Sequence, residues 1–405
     1  MKNDSVSQHT QDCSPRPHSS QRTGAIVRTA ALVAAAFAGG ALSAGGARAR
    51  SGDDSPYAVV EQLARVLTVV ENAYVDPVER DKLLTGAIKG MVAELDPHSA
   101  YLPPEDNALF QSETEGKFAG VGIEVEVRDE RVVVVSPIEG APADRAGVRP
   151  GDRIVAIEGE PTRGVPLDRL VKKMRGEPGT RVQLSVLSAG EEQPRLLTLT
   201  REIVRVRSVI GRRLKGDIAY LRVKQFQGST HAEFLRVLGQ IRSTSPAPLT
   251  GVLLDLRNNP GGLVDQAVGI VDELLDGGVV FTTRSRGKIV EEITASRGGA
   301  LVDLPAVVLV NEFSASASEL VAGALQDPGR ATIVGATTFG KGSVQTILDL
   351  GGGNGMKLTT QRYATPKGRV LQALGITPDV RVDQPIPLPA GVRLPRERDL
   401  DNHLP

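Results

Sequence analysis

The chain has 405 residues, enough for two or three domains with cores of their own. Its 48 Lys+Arg balance 48 Asp+Glu, so no bulk field favours nucleic acid or an anionic surface, and with 3% aromatics and no Trp it lacks base-stacking platforms. Cys13 is its only cysteine, which excludes a disulfide framework and a thiolate metal site.

In chain order, Arg22 and Arg28 precede a run of small apolar residues over 29–44, and Ala47-Arg48-Ala49 supplies an A-x-A cleavage site. This pattern predicts an export signal over 1–49. The run is rich in Ala and Gly and poor in Leu, so it is a weak span, serving as an inner-membrane anchor only if it is retained. Cys13 precedes the run and is badly placed for lipid attachment. Cleavage removes five basic and two acidic residues, leaving a net charge of −3 and no cysteine. Such a chain suits the periplasm or another extracytoplasmic, oxidising space.

Residues 50–108 form a helical region, with Val59, Leu63, Val66, Leu67 and Val70 on one stripe and Leu83, Leu84, Ile88, Met91 and Leu95 on another. LDPHSAYLPPED, 95–106, reads as a Pro-rich break. Residues 109–190 change character. Short strands are predicted over 123–127, 131–136, 153–157 and 181–187, with one helix over 167–174. Over 191–385, strands near 218–223, 252–256, 306–310 and 333–335 alternate with helical stripes, which implies a partly parallel sheet. QTILDLGGGNGMKLTTQRYA, 345–364, reads as a hairpin. The Pro- and charge-rich tail, 386–405, is expected to be poorly ordered.

Chemistry concentrates in three turns. NEFSASASELVAGAL, 311–325, places Ser314, Ser316 and Ser318 between a buried strand and a helix, where amides favour an anion. Position alone leaves the nucleophile open, since Ser314 and Ser318 also suit N-capping. No histidine is obviously placed as a base. His9 and His18 lie in the export segment, His403 in the tail, His98 in the Pro-rich break, and His231 on the expected solvated side of a helix. Lys341, in TTFGKGSVQ (337–345), is the alternative, because Ser-Lys pairs are an established variant. Gly340 and Gly342 beside it let the backbone approach another segment. Gly335 to Lys341 matches G-x-x-x-x-G-K, but Gly342 replaces the Mg²⁺-binding hydroxyl, which argues against a phosphate loop. The third turn, DLRNNPGG (255–262), exposes unhindered amides suited to a developing oxyanion. Alone it would be an ordinary Asn-Pro-Gly-Gly turn.

SASASE followed by AGALQD and FGKGSVQ resembles the carboxyl-terminal processing peptidases, also called tail-specific proteases. The resemblance extends to LDPHSAYL and to TTQRYATPKGRVLQALGITPDV, 359–380, and so covers nearly all of the exported chain. It implies a Ser-Lys dyad of Ser316 and Lys341, 25 residues apart. It also implies Gln345 orienting the amine, and an oxyanion hole from the N–H groups of Ala317 and Gly262. GKFAGVGIEV (116–125) with APADRAGVRPGDRIVAIEG (141–159) resembles a PDZ domain, with Gly120, Val121, Gly122 and Ile123 as its carboxylate-binding loop. A peptide would add beside 123–127, against a helix offering Leu167, Leu170, Val171 and Met174.

The implied fold is α/β: a ββα-spiral core of the ClpP/crotonase-like kind with an inserted PDZ domain and an N-terminal helical segment. The expected function is an exported serine endopeptidase that takes apolar C-terminal tails, without metal or organic cofactor and without nucleic acid. A catalytically inactive PDZ scaffold and a crotonase-like acyl-transfer enzyme are the alternatives. Gating by the PDZ domain, an adaptor protein and homo-oligomer formation cannot be carried onto particular residues.

Overall fold

The computed structural model describes residues 56–382 and 394–405. The expected export signal, 1–49, lies outside the described residues. The chain divides into two units, 1–83 and 84–405. Helix α1, Pro56–Ala73, and helix α2, Arg80–Ala93, form where the apolar spacing predicts them. Val59, Leu63, Val66 and Val69 of α1 are exposed. Among the described residues no helix is long and apolar enough to cross a membrane.

The segment read as a Pro-rich break is more ordered than expected. Strand β1, Ala100–Leu102, pairs antiparallel with a strand some 250 residues later, Ala100 opposite Lys357. Helix α3, Pro104–Glu115, begins at the second proline and ends at Gly116, φ 70°. Proline is tolerated at the first helical position, where its missing N–H has no intrahelical partner to lose. The Pro-Pro pair therefore starts a helix as well as breaking the chain before it.

The four strands and the helix expected in the β-rich module are present, while a short helix over 142–145 and strands over 117–120, 160–161, 195–200 and 202–205 were not foreseen, the last two lying beyond the expected boundary at 190. Strand β2, Lys117–Gly120, leads to β3, Ile123–Arg128, and β4, Arg131–Pro137. A short helix α4, Pro142–Arg145, then precedes β5, Arg153–Ile157, and β6, Glu160–Pro161. Helix α5, Leu167–Met174, strand β7, Arg181–Leu187, strand β8, Arg195–Thr200, and strand β9, Glu202–Arg205, complete it. The sheet order is β3-β4-β5-β7-β8, with β6 on β5, and β2 pairs separately with β9. β3 is thus an edge strand. Every second residue of β7 (Val182, Leu184, Val186) is buried, as the two-residue side-chain period requires. These pack with Val132, Val134, Ile154, Ile157 and Leu170.

The larger region opens with β10, Val209–Leu214, and β11, Ile218–Val223. Helix α6, Thr230–Ser243, strand β12, Gly251–Asp255, and helix α7, Val264–Asp272, follow. A hairpin not foreseen from sequence, β13 (Gly278–Ser285) and β14 (Lys288–Ala295), precedes β15, Ala306–Val310, and helix α8, Ala317–Gln326. Strands β16, Ala331–Gly335, β17, Ser343–Gly351, β18, Asn354–Ala364, and β19, Val380–Arg381, end the region. One sheet runs β10-β11-β12-β15-β16-β19, parallel from β11 onward. A second, antiparallel sheet runs β1-β18-β13-β14 with β17 on β18. The helices bury their apolar faces against both. Leu221, Leu254, Val308 and Ile333 of the first sheet share a core with Phe234, Ile270 and Val321 of the helices and with Phe281 and Tyr363 of the second sheet. Residues 317–325 of α8 are all buried.

The tail differs from expectation. Residues 383–393 lie outside the described residues, but 394–405 pack back onto the core. Glu397 is fully buried, its carboxylate bonded by His98 Nε2 at 2.7 Å and by Gln372 Nε2 at 2.7 Å. The carboxylate that suggested solvent is hydrogen-bonded by a partner 299 residues away, which no local pattern reveals.

Candidate active site

The turn between β15 and α8 separates the three serines by burial. Ser314 is fully buried, accepts the Asn311 N–H at 3.0 Å and donates to Leu256 O at 2.8 Å. Ser318 is fully buried and donates to Asn259 O at 2.9 Å. Both hydroxyls are spent on the backbone of the neighbouring turn, so they are stitches and not the N-caps that position suggested. Ser316 is half-buried and sits at φ 55°, ψ −115°. That backbone is strained for a residue with a Cβ. A sharp strand-to-helix turn of this kind lifts a side chain off the sheet edge, as in nucleophile elbows, although the G-x-S-x-G pattern is absent.

The glycine turn packs directly against it. A methyl group on Gly261, φ 102°, would lie 2.8 Å from Ser316 Cβ and 3.0 Å from Ala317 N. Only glycine fits that approach. Buried Asn259 holds the turn, with its Nδ2 donating to Val223 O and its Oδ1 accepting from Gly261 N–H, both at 2.9 Å. The Gly261 amide is therefore consumed. The Gly262 N–H makes no hydrogen bond among the described residues, and Gly262 is exposed. The Ala317 N–H, in the first turn of α8, has no intrahelical acceptor to use.

Lys341 comes to the same place through Glu319. This carboxylate is fully buried and accepts four hydrogen bonds: from Thr338 Oγ1 at 2.5 Å, Gly340 N at 2.7 Å, and Ser316 N and Lys341 N at 2.8 Å each. The last two end on one oxygen, Oε2. Two bonds of 2.8 Å to one atom put the amide nitrogens of Ser316 and Lys341 no more than 5.6 Å apart. The Gly340 and Lys341 amides are committed to a carboxylate, which removes them as a phosphate cradle. On the other side, a methyl on Gly342 would lie 2.3 Å from Gln372 N. The approaching segment that the flanking glycines foreshadow is 371–375.

Burial pushes Glu319 up to about 7, against its four hydrogen bonds, which favour the ionised form. Lys341 is lowered to about 8, first by burial and then by the Lys357 ammonium. The negative charges of Glu397, Asp96 and Glu319 pull the other way. The local sequence 337–345 has no acid, but the fold brings three toward the amine. Ser316 Oγ faces the Glu319 N–H as one half of a capping box, and Lys341 Nζ has no side-chain hydrogen bond among the described residues. Gln345 donates to Ser343 Oγ at 2.9 Å and to Thr359 Oγ1 at 3.2 Å, one step from buried Asp96. Lys341 borders an apolar cavity of about 660 Å³ with Pro260, Phe313, Ala315 and Phe339.

In the β-rich domain, Gly120, Val121, Gly122 and Ile123 line a cavity of about 580 Å³ together with Val171 and Met174. Of the four helical candidates, Leu167 and Leu170 do not line it, Leu170 lying in the domain core, which Met174 joins as well. Arg205 and Lys224 line the cavity beside Glu124 and an Arg207–Glu139 pair at 3.0 Å, and Arg175 lies 4.5 Å over the Phe118 ring. His98 is a structural partner of Glu397, and His231 pairs with Glu273 at 2.8 Å. Sequence reasoning missed Glu319, Asn259 and Lys357. Only Glu319 left a signal, the S-x-x-E spacing of a capping box at Ser316.

Three family models match the chain: "Peptidase family S41" over residues 217–382, "PDZ domain" over 133–188, and "Activating protease CtpB N-terminal domain" over 41–106. A carboxy-terminal-processing protease of Bartonella bacilliformis is 42% identical over 339 residues, 83% of this chain and 78% of that protein. A carboxyl-terminal-processing protease of Synechocystis is 39% identical over 307 residues, 74% and 71% of the two chains. Among solved structures, a photosystem II D1 C-terminal processing protease is 32% identical, covering 80% of this chain and 93% of that one with a TM-score of 0.48.

Proposed function

The chain belongs to the carboxyl-terminal-processing proteases of peptidase family S41, serine peptidases with a PDZ domain, and from that premise we propose that Ser316 and Lys341 are its catalytic dyad. One observation carries the assignment: a single oxygen of Glu319 accepts both backbone amides. Two segments are thereby held face to face, with the one half-exposed hydroxyl of the three serines on one and a buried amine on the other.

In this reading Lys341 in its neutral form takes the proton of Ser316 Oγ as that oxygen attacks the scissile carbonyl. The N–H groups of Ala317 and Gly262 receive the oxyanion, aided by the N-terminus of α8. Lys341 then protonates the leaving amine, and water, deprotonated by the same amine, releases the acyl group. Lowering the lysine from its ordinary 10.5 to about 8 corresponds to about 3 kcal/mol against the ammonium. That leaves about a quarter of the amines neutral at pH 7.5. Gln345 lines up Ser343 and Thr359 beside the amine and acts as a positioning residue. The apolar cavity at Phe313 and Phe339 takes a substrate side chain next to the scissile bond.

Substrate capture falls to the PDZ domain. A tail adds as a strand on the open edge of β3, its carboxylate on the loop 120–123 and its last apolar side chain on Val171 and Met174. The substrates are proteins with unstructured apolar C-termini, met outside the inner membrane after export by residues 1–49. No cofactor enters this chemistry.

The test is cleavage of an unfolded substrate ending in Ala or Val by purified protein. Wild type cleaves it. Ser316→Ala and Lys341→Ala each lose at least about 10³-fold in kcat/KM with the fold intact. Cleavage by Ser316→Ala at the wild-type rate would remove the nucleophile assignment.

A further inference from the structure

At the carboxyl edge of the first sheet's parallel strands, where open α/β sheets take ligands, lies a second cavity of about 540 Å³, bordered by Arg222, Arg257, Asn258, Asn311 and Gly335. It shares Asn258 as a wall with the apolar cavity beside Lys341. That wall is fixed. Asn258 N donates to Asn311 Oδ1 at 2.9 Å, and Asn311 Nδ2 donates back to Asn258 Oδ1 at 2.6 Å.

The two guanidiniums differ in state. Arg257 spends its charge on Asp255, with Nε and Nη2 at 2.9 and 2.7 Å from the carboxylate. Asp255 also accepts the Tyr220 hydroxyl at 2.8 Å and is fully buried. Arg222 stands opposite Asp255 in the β11–β12 register, but that carboxylate is already taken. Arg222 Nε is buried without a hydrogen-bond partner among the described residues. A buried unpaired donor on a permanent cation is costly unless an acceptor arrives. The Arg257–Asp255 pair cancels, so among the described residues lining the cavity Arg222 is the one positive charge without a carboxylate of its own.

We propose that this cavity binds a carboxylate of the peptide passing Ser316, with Arg222 as its recognition residue. The carboxylate has two sources: an Asp or Glu side chain a few residues from the scissile bond, or the terminal carboxylate that hydrolysis creates. The site deepens the peptidase reading above and rests on it.

The experiment uses the full chain and peptides with one shared apolar free C-terminus, so that PDZ capture is constant. Glu, Gln or Lys is placed in turn at each position flanking the cleaved bond. Wild type should favour Glu over Gln at one position by about tenfold or more in kcat/KM, the size of a charge-assisted hydrogen bond. In Arg222→Gln that ratio should fall toward one, while Arg222→Lys retains part of it. Each ratio is internal to one variant, so partial misfolding does not distort it. The product source is separated by inhibition. Free-acid N-terminal product should inhibit wild type about tenfold better than its amide, and the difference should vanish in Arg222→Gln. Either preference, if lost on Arg222→Gln, supports the site and names the source. A wild type that cleaves but shows neither preference, or a preference that survives Arg222→Gln, overturns the site and leaves the dyad standing. A wild type that cleaves no peptide at all overturns the peptidase reading first, and the site with it.

Discussion

Replacing Glu319 with Gln probes how the two loops are held. The amide nitrogen of Gln must take the place of one carboxylate oxygen. In either orientation two of the four donors, Ser316 N and Lys341 N or Thr338 Oγ1 and Gly340 N, then face another donor. Each hydrogen bond to a charged group is worth about 1.5–3 kcal/mol, and relief from burying the charge returns part of the loss. The net destabilisation should be about 2–4 kcal/mol, with kcat/KM down about 10²-fold because the loops lose register. The sharper readout is the acid limb of the pH–rate profile. In wild type, Glu319 takes up a proton near 7 and Lys341 near 8, so log kcat/KM should steepen toward a slope of two below pH 7. Glu319→Gln should show a slope of one with its midpoint near 8. Stability follows the opposite sign. Glu319 is raised above its ordinary 4.5, so its contribution is full below that value and is lost as pH rises through about 7. The deficit of the variant, read by chemical denaturation, should therefore be smaller at pH 8 than at pH 5. Wild-type stability in the variant, or a slope of one in both proteins, would refute the idea that this carboxylate joins the loops.

The charges around the amine make two predictions of opposite sign. Lys357 lowers Lys341, so Lys357→Met should move the acid limb to higher pH; Glu397 raises it, so Glu397→Gln should move the limb to lower pH. Shifts in the same direction, read from kcat/KM against pH, would contradict that electrostatic arrangement. Gly261→Ala forces a methyl to 2.8 Å from Ser316 Cβ at φ 102°. It should abolish cleavage and lower the melting temperature, and a fully active Gly261→Ala would show that the glycine turn sits elsewhere. Ser314→Ala and Ser318→Ala leave Leu256 O and Asn259 O without their hydroxyl donors. Each should cost about 1–3 kcal/mol of stability, measured by denaturation, and retain cleavage in the folded fraction.

The sequence reveals most where spacing is local. Helix α5 and strands β3, β4, β5 and β7 follow from two-residue and 3.6-residue periods, and Gly340 and Gly342 announce a close approach before the partner segment 371–375 is known. Distant pairing left no such trace. Strand β1 was hidden because its partner β18 lies far along the chain, and α3 because Pro103-Pro104 suggests interruption as strongly as initiation. Glu397 looked like tail charge until His98 and Gln372 closed over it. The three serines are equivalent in one dimension. Only the third shows that Ser314 and Ser318 are consumed by the neighbouring turn, and that the acids tempering Lys341 arrive from positions 96, 319 and 397.

The dyad itself is tested most directly by covalent trapping. A serine-directed fluorophosphonate is added to the purified chain, and the adduct is mapped by peptide mass spectrometry across pH 6 to 9. The label should fall on Ser316, its rate should rise with pH toward a plateau above about 8, and Lys341→Ala should remain unlabelled. A label on Ser314, on Ser318 or on no serine would contradict the account, as would labelling of Lys341→Ala at the wild-type rate.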